Sequence, residues 1–273
     1  MKNIFSGFKL IQLPINKSGK INLPDDRTLY GKKIQAIIPM VGTYPLLNGM
    51  YDLSVYGTET INTTDLENMT INLTANGQYF FYQNSAFNMS QIATEGIYDN
   101  INTVLSIPDC FVDVQAWYGN KHKILQLAVF YEDTASINAI QNVASNYNTF
   151  EVSVGSSDSS NFGRKYYFEE NRILVDKKFR NLLVSYPTVT PQGNTGINQN
   201  IEKYGYITLV RGGHILWQQM PVVLLNQLYN YRKLQFANII FDFNNSYIEL
   251  AEIQKAAPLT LPAYLTLTAE YQR

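Results

Sequence analysis

Cysteine is almost absent from this sequence. The single Cys110 has no partner for an internal disulfide, which excludes a disulfide-stapled secreted scaffold. Histidine is nearly as scarce: His122 and His214 are too few for the tandem metal sites of a double cupin, each of which needs several imidazole ligands. His122 sits between lysines in an expected turn and His214 follows a hairpin glycine pair, so both read as structural or exposed. Charge is sparse and balanced, with 16% charged residues and a formal net charge of −1. The concentrated positive surface that phosphate binding requires is missing, and no specific nucleic acid partner is expected. The basic groups at 32–33, 121–123 and 177–180 are small and read as solvated turns or strand ends. No apolar run reaches the length of a membrane span, and the first nine residues are too polar for a signal peptide, so folding in a cytoplasm is expected.

Catalytic signatures are missing as well. There is no Gly-x-Ser-x-Gly elbow, no phosphate-binding glycine loop and no metal-ligand pair. Cys110 follows Pro108-Asp109 with no cationic neighbour to lower its pKa, so it reads as an inert core thiol. Asp25-Asp26, Glu132-Asp133 and Glu169-Glu170 are the residue type that hydrolyses glycosides, a reaction that needs two carboxyl groups flanking one bond. Solvated loop acids are the simpler reading. No catalytic, cofactor-binding or metal-binding residue is assigned, no cofactor is expected, and no enzyme activity is expected.

What the chain does contain is aromatic and repetitive. Twenty tyrosines and 14 phenylalanines favour strands that pack faces and cross-strand pairs. Residues 69–83 and 205–219 share one layout: alternating apolar residues, a turn dipeptide (Asn76-Gly77, Gly212-Gly213), and a bulky run ending in glutamine. Both dipeptides suit the positive φ angles of a two-residue hairpin. A second match sets Leu125, Leu127, Val129 and Tyr131 against Leu265, Leu267, Ala269 and Tyr271 in the same inward phase. Between these lie two further strand-like runs, 111–117 and 239–243. Residues 34–39 and 182–187 form a fourth pair, each stopped by a proline.

The expected organisation is a first unit at 1–133, a linker with a short helix at 134–148, and a second unit at 149–273. The first unit opens with 8–14, turns at 16–19 and returns along 20–23. Serine- and glycine-rich loops are expected at 155–161 and 188–196, with one helical turn at 224–228. The fold class is all-β: two tandem jelly-roll β-barrels or sandwiches with short helical connections. In the aromatic runs 79–82, 117–118 and 166–168, alternation should bury half the rings and expose half, as in a self-associating protein.

Two successive jelly-roll-like units, without a disulfide or a catalytic motif, resemble the double jelly-roll major capsid proteins of tailless icosahedral viruses, especially bacteriophages with an internal membrane. The resemblance covers nearly the whole chain and rests on the repeated architecture, since that family has no diagnostic short motif. It implies a homotrimer with a pseudo-hexagonal outline, tiling an icosahedral virion shell assembled in a host cytoplasm. The partners implied are other copies of the chain, penton and minor capsid proteins, and an internal viral membrane near the amino-terminal region. It carries over no individual functional residue. The competing readings are a carbohydrate-binding β-sandwich module or adhesin, a virion spike or penton component, and a tandem jelly-roll hydrolase.

Overall fold

The computed structural model describes residues 3–46, 53–56, 59–90, 101–117, 122–132, 145–153, 164–185, 204–231, 234–236, 239–251 and 264–272. The protein is mostly β-sheet. The first half contributes β1 (Asn3–Phe5), β2 (Gly7–Ile15), β3 (Gly19–Asn22), β4 (Lys33–Pro39), β5 (Met69–Ala75), β6 (Gln78–Ser85), β7 (Thr103–Val104), β8 (Phe111–Val114) and β9 (Lys123–Glu132). The second contributes β10 (Ser145–Ser153), β11 (Lys165–Tyr167), β12 (Phe179–Ser185), β13 (Gly205–Arg211), β14 (His214–Pro221), β15 (Leu234–Phe236), β16 (Tyr247–Leu250) and β17 (Tyr264–Gln272). Four helices are described: α1 (Leu53–Tyr56), α2 (Thr63–Glu67), α3 (Ala86–Ser90) and α4 (Val222–Tyr231).

Pairing in the first half is nested. From β2 onward, the first strand pairs with the eighth (β2 with β9), the second with the seventh (β3 with β8), the third with the sixth (β4 with β7) and the fourth with the fifth (β5 with β6), all antiparallel. The second half repeats the order: β10 pairs with β17, β11 with β16 and β13 with β14. Its third and sixth strands, β12 and β15, are neighbours, and an antiparallel bridge joins Phe179 to Ile239 just beyond β15. Because β2 and β3 pair with β9 and β8 in different sheets, the turn at 16–19 is a corner between layers, not a hairpin.

The repeat extends to backbone irregularities. In the β5–β6 hairpin, Ile71 opposes Asn84 and Leu73 opposes Phe81; in the β13–β14 hairpin, 136 residues on, Ile207 opposes Met220 and Leu209 opposes Trp217. Each hairpin turns on two residues of positive φ, Asn76 and Gly77 or Gly212 and Gly213, which matches the right-handed twist of the strands. Each then bulges at a glutamine of positive φ, Gln83 at 52° and Gln219 at 60°. The bulge turns that N–H out of the ladder, and a side chain across the hairpin accepts from it: Asn72 Oδ1 at 2.8 Å, and Thr208 Oγ1 at 3.2 Å.

Two expectations need correction. Residues 239–243 are not the partner of 111–117: the counterpart of β8 is β16, and a 3-10 turn precedes each, Ile107–Asp109 and Phe243–Asn245. Asp242 is still extended, and the chain turns just after it: its carboxylate accepts the Gly212 N–H at 2.7 Å and its carbonyl accepts from Ser246 N–H at 3.0 Å. Residues 145–148, expected in the linker, belong to β10. A continuous nine-residue ladder with β17 outweighs the weak strand preference of asparagine and serine there. The expected helical turn at 224–228 lies inside the ten-residue α4. The linker helix at 134–143 and the loops at 155–161 and 188–196 lie outside the described residues.

The halves share a wall. One eight-stranded sheet runs β11-β16-β13-β14-β2-β9-β4-β7, flanked by the sheets β3-β8-β5-β6 and β10-β17-β12. No sheet closes on itself among the described residues. Ile11, Leu13, Leu125, Leu127 and Val129 face the first half's own core. The opposite face of the same strands, with Phe8, Leu10, Ala36, Ile38, Ala128 and Phe130, joins the second half's core. β9 is therefore buried on both faces from Lys123 to Tyr131, and even Gln126 is 1% exposed. β1 extends this seam by pairing in parallel with β15. Among the described residues, no helix is long and apolar enough to cross a membrane.

Candidate assembly surface

The junction between halves is made by two strand edges. β14 lies parallel to β2, with Trp217 opposite Phe8 and Gln218 opposite Lys9. Trp217 is fully buried, 6.2 Å from the Phe5 ring; Phe130 packs edge-on against Phe5 at 4.7 Å and Phe8 at 5.1 Å. The Lys9 ammonium donates to Gln218 Oε1 and ion-pairs with Asp26 at 2.8 Å. Burial pushes the Asp26 carboxyl up, but hydrogen bonds from Lys9 and Thr28 outweigh it and hold the group below its ordinary pKa. Deeper in the seam, Gln126 Nε2 donates to the Tyr206 hydroxyl at 2.9 Å and to Gln12 Oε1 at 3.2 Å, while Thr43 donates to Gln126 Oε1 at 2.6 Å. The Tyr206 hydroxyl donates to the Tyr44 carbonyl. Buried polar groups from the two halves thus satisfy one another, which fixes the register of the seam.

Among the strands that end a sheet in the described residues, β6 and β10 are the repeat counterparts of the junction strands β14 and β2. β6 exposes Tyr79 (56%), Phe80 (43%) and Tyr82 (60%), and β10 exposes Tyr147 (54%). The expected half-buried alternation fails on β6. The strand has a ladder neighbour on one side only, and the longest sheet ends in the two-residue β7. Alternation does hold on β11, where Tyr167 is exposed and the following Phe168 is buried. Trp117 packs against the first core, and Tyr118 lies outside the described residues. Beside β6, a groove of about 550 Å³ is lined by Lys20, Asn22, Gln78, Tyr79, Asp109 and Phe111, with the Lys20 ammonium 4.2 Å from the centre of the Phe111 ring.

The residues considered for chemistry do not converge. Asp25 accepts from the Tyr30 hydroxyl, and Asp26 caps the 3-10 turn at Arg27–Leu29. Glu132 pairs with Lys33 at 3.6 Å and accepts from Gln35 at 3.2 Å, while Asp133 lies outside the described residues. Glu169 and Glu170 are exposed. His122 packs edge-on against Tyr56 at 5.3 Å; His214 is exposed at the start of β14. Among the described residues, no group of three or more His, Cys, Asp or Glu is arranged to hold a metal ion.

Cys110 lies in the core, where an inert thiol is expected. It is fully buried, its Sγ accepts from Thr74 N–H at 3.3 Å and approaches the Ser106 carbonyl at 3.4 Å, and burial pushes its pKa up to about 11. Native protein should resist iodoacetamide at pH 8 and react fully once unfolded; mass spectrometry reads the adduct. A folded-state pKa above the ordinary 9.0 gives stability that is complete below pH 9 and is lost as pH rises to about 11. That loss is on the order of 2 kcal/mol, and Cys110→Ala should remove this part of the alkaline destabilisation.

Family models, curated proteins and solved structures were compared with the chain, and none matches.

Proposed function

We propose that the protein is the major capsid protein of an icosahedral virion, built as a double jelly roll and assembling as a homotrimer of pseudo-hexagonal outline. The observation that carries this reading is the nested strand pairing, made by four ladders in the first half, followed by the 1–8, 2–7 and 4–5 ladders of the second, and repeated down to the glutamine bulge. Nested 1–8, 2–7, 3–6 and 4–5 pairing follows from folding one long hairpin into two layers, which is the jelly-roll arrangement. Duplicating it gives one chain two similar walls, so that three chains present six similar sides. The open aromatic edges and the low net charge support close packing of many identical copies. On this reading the partners are further copies, penton and minor capsid proteins and an internal viral membrane, and the protein resides in the virion shell.

Light scattering on the purified full chain tests the reading. A stable species near three times 31.1 kDa is the expected result. A second reading, a carbohydrate-binding module, is favoured by the groove at Tyr79 and Phe111, where aromatic rings sit among amide, ammonium and carboxylate groups. A monomer at all concentrations that binds a glycan array, and loses binding on Tyr79→Ala, would replace the capsid reading with that one.

A further inference from the structure

We infer that the β6 edge of one copy docks in parallel on the β10 edge of a second copy, with Phe81 opposite Tyr147 and Tyr82 opposite Asn148. The internal junction supplies the template. Within the chain, the fifth strand of the second half (β14) lies beside the first strand of the first half (β2), joining Trp217 to Phe8 and Gln218 to Lys9. The hairpin registers place Phe81 and Tyr82 where Trp217 and Gln218 stand in the repeat.

The ladders to the last strands transfer the other side. Phe8 opposes Phe130 and Lys9 opposes Val129, and 140 residues further on Glu270 opposes Tyr147 and Ala269 opposes Asn148. Tyr147 and Asn148 are therefore the counterparts of Phe8 and Lys9. Every half has one edge of each kind. β14 and β2 satisfy each other inside the chain, and each copy keeps one β6 and one β10.

The composition of these edges fits a paired state. Exposed edges in proteins that stay monomeric are blunted by lysine, proline or inward-pointing charge. β6 reads Gln-Tyr-Phe-Phe-Tyr-Gln-Asn-Ser, with no charge and no proline, and β10 carries only Glu151. The face around the acceptor edge differs between halves in a telling way. In the first half it bears Phe8, Leu10, Ala128 and Phe130, all buried by the chain itself. At the corresponding positions the second half bears Tyr147, Thr149, Thr268 and Glu270, polar enough to meet water before assembly.

The contact joins unlike edges, so it is heterologous and either closes into a ring or continues as a filament. Closure at three copies, with three internal junctions alternating with three contacts between copies, rests on the capsid function proposed above. The pairing of β6 with β10 does not.

Disulfide trapping in the full chain tests the pairing. Neighbouring strands lie about 4.8 Å apart, within disulfide reach for residues in register. Tyr82→Cys combined with Asn148→Cys should, on mild oxidation, shift most of the protein from one chain mass to two and three on a non-reducing gel. Tyr82→Cys with Glu151→Cys, three residues out of register, should stay at one. Phe80→Cys with Asn146→Cys is a second in-register pair should the first impair folding. Oligomers that form without cross-linking in either in-register pair overturn the docking and leave the capsid reading standing. Cross-linked open chains without a closed trimer support the docking and remove the capsid trimer. A monomer that never cross-links overturns both.

Discussion

Trp217→Ala should lower the free energy of unfolding by about 3 to 5 kcal/mol, the range for deleting a large buried aromatic side chain. The expected consequence goes beyond that loss. The indole is fully buried and stands opposite Phe8, where the second half's hairpin meets the first half's opening strand. Its removal opens a cavity beside Phe5, whose own strand spans the seam by pairing with β15. The halves should lose mutual support, and a thermal scan that shows one transition for the parent should show two for the variant. Phe81→Ala, at the equivalent hairpin position of the first half, is the control. Phe81 is only half-buried and packs on the first half's own core, so its truncation should cost less and leave the transition single. A Trp217→Ala variant that unfolds in one step at the parent temperature would show that the seam is not held by this contact.

How far the sequence predicts this arrangement depends on the range of the interaction. Hairpins are legible because the turn residues and flanking strands are adjacent: Asn76-Gly77 and Gly212-Gly213 stand where two-residue turns require positive φ. The inward phase of β9 and β17 is legible from alternation, since Leu125, Leu127, Leu265 and Leu267 all reach a core. The shared wall is not. Gln126, Ala128 and Phe130 look like an outward face, and only the arrival of β1 and the second half buries them. The 3-10 turn at Phe243–Asn245 is hidden for a similar reason: residues 239–243 are apolar enough for a strand, and Asp242, at the start of the turn, is held by a hydrogen bond from the Gly212 N–H, 30 residues away. The open edges were equally out of reach. Alternation in 79–82 says which rings share a face, but exposure depends on whether a neighbouring layer covers them.

Asp65→Ala should cost about 3 to 5 kcal/mol, the range for leaving one member of a buried ion pair without its partner. Lys123 opens β9 with a side chain 6% exposed, and its ammonium lies 2.7 Å from Asp65 Oδ2. Its other carboxylate, Glu59, is 3.7 Å away and 37% exposed, too solvated to replace the lost charge. Asp65 also completes the capping box of α2, accepting the Asn62 N–H at 2.9 Å while its own N–H donates to Asn62 Oδ1 at 2.9 Å. Asp65→Asn separates the two roles, because the amide oxygen still accepts from Asn62 while the charge is gone. It should retain the cap and lose most of the stability. Adding Lys123→Met to Asp65→Ala removes the stranded ammonium and keeps an apolar stem of similar length against Trp117, so the double variant should recover most of the loss. Urea unfolding of the parent, Asp65→Ala, Lys123→Met and their double variant gives the coupling. Additive losses would mean that Lys123 is held by packing alone, and that the ion pair contributes nothing to anchoring the start of β9.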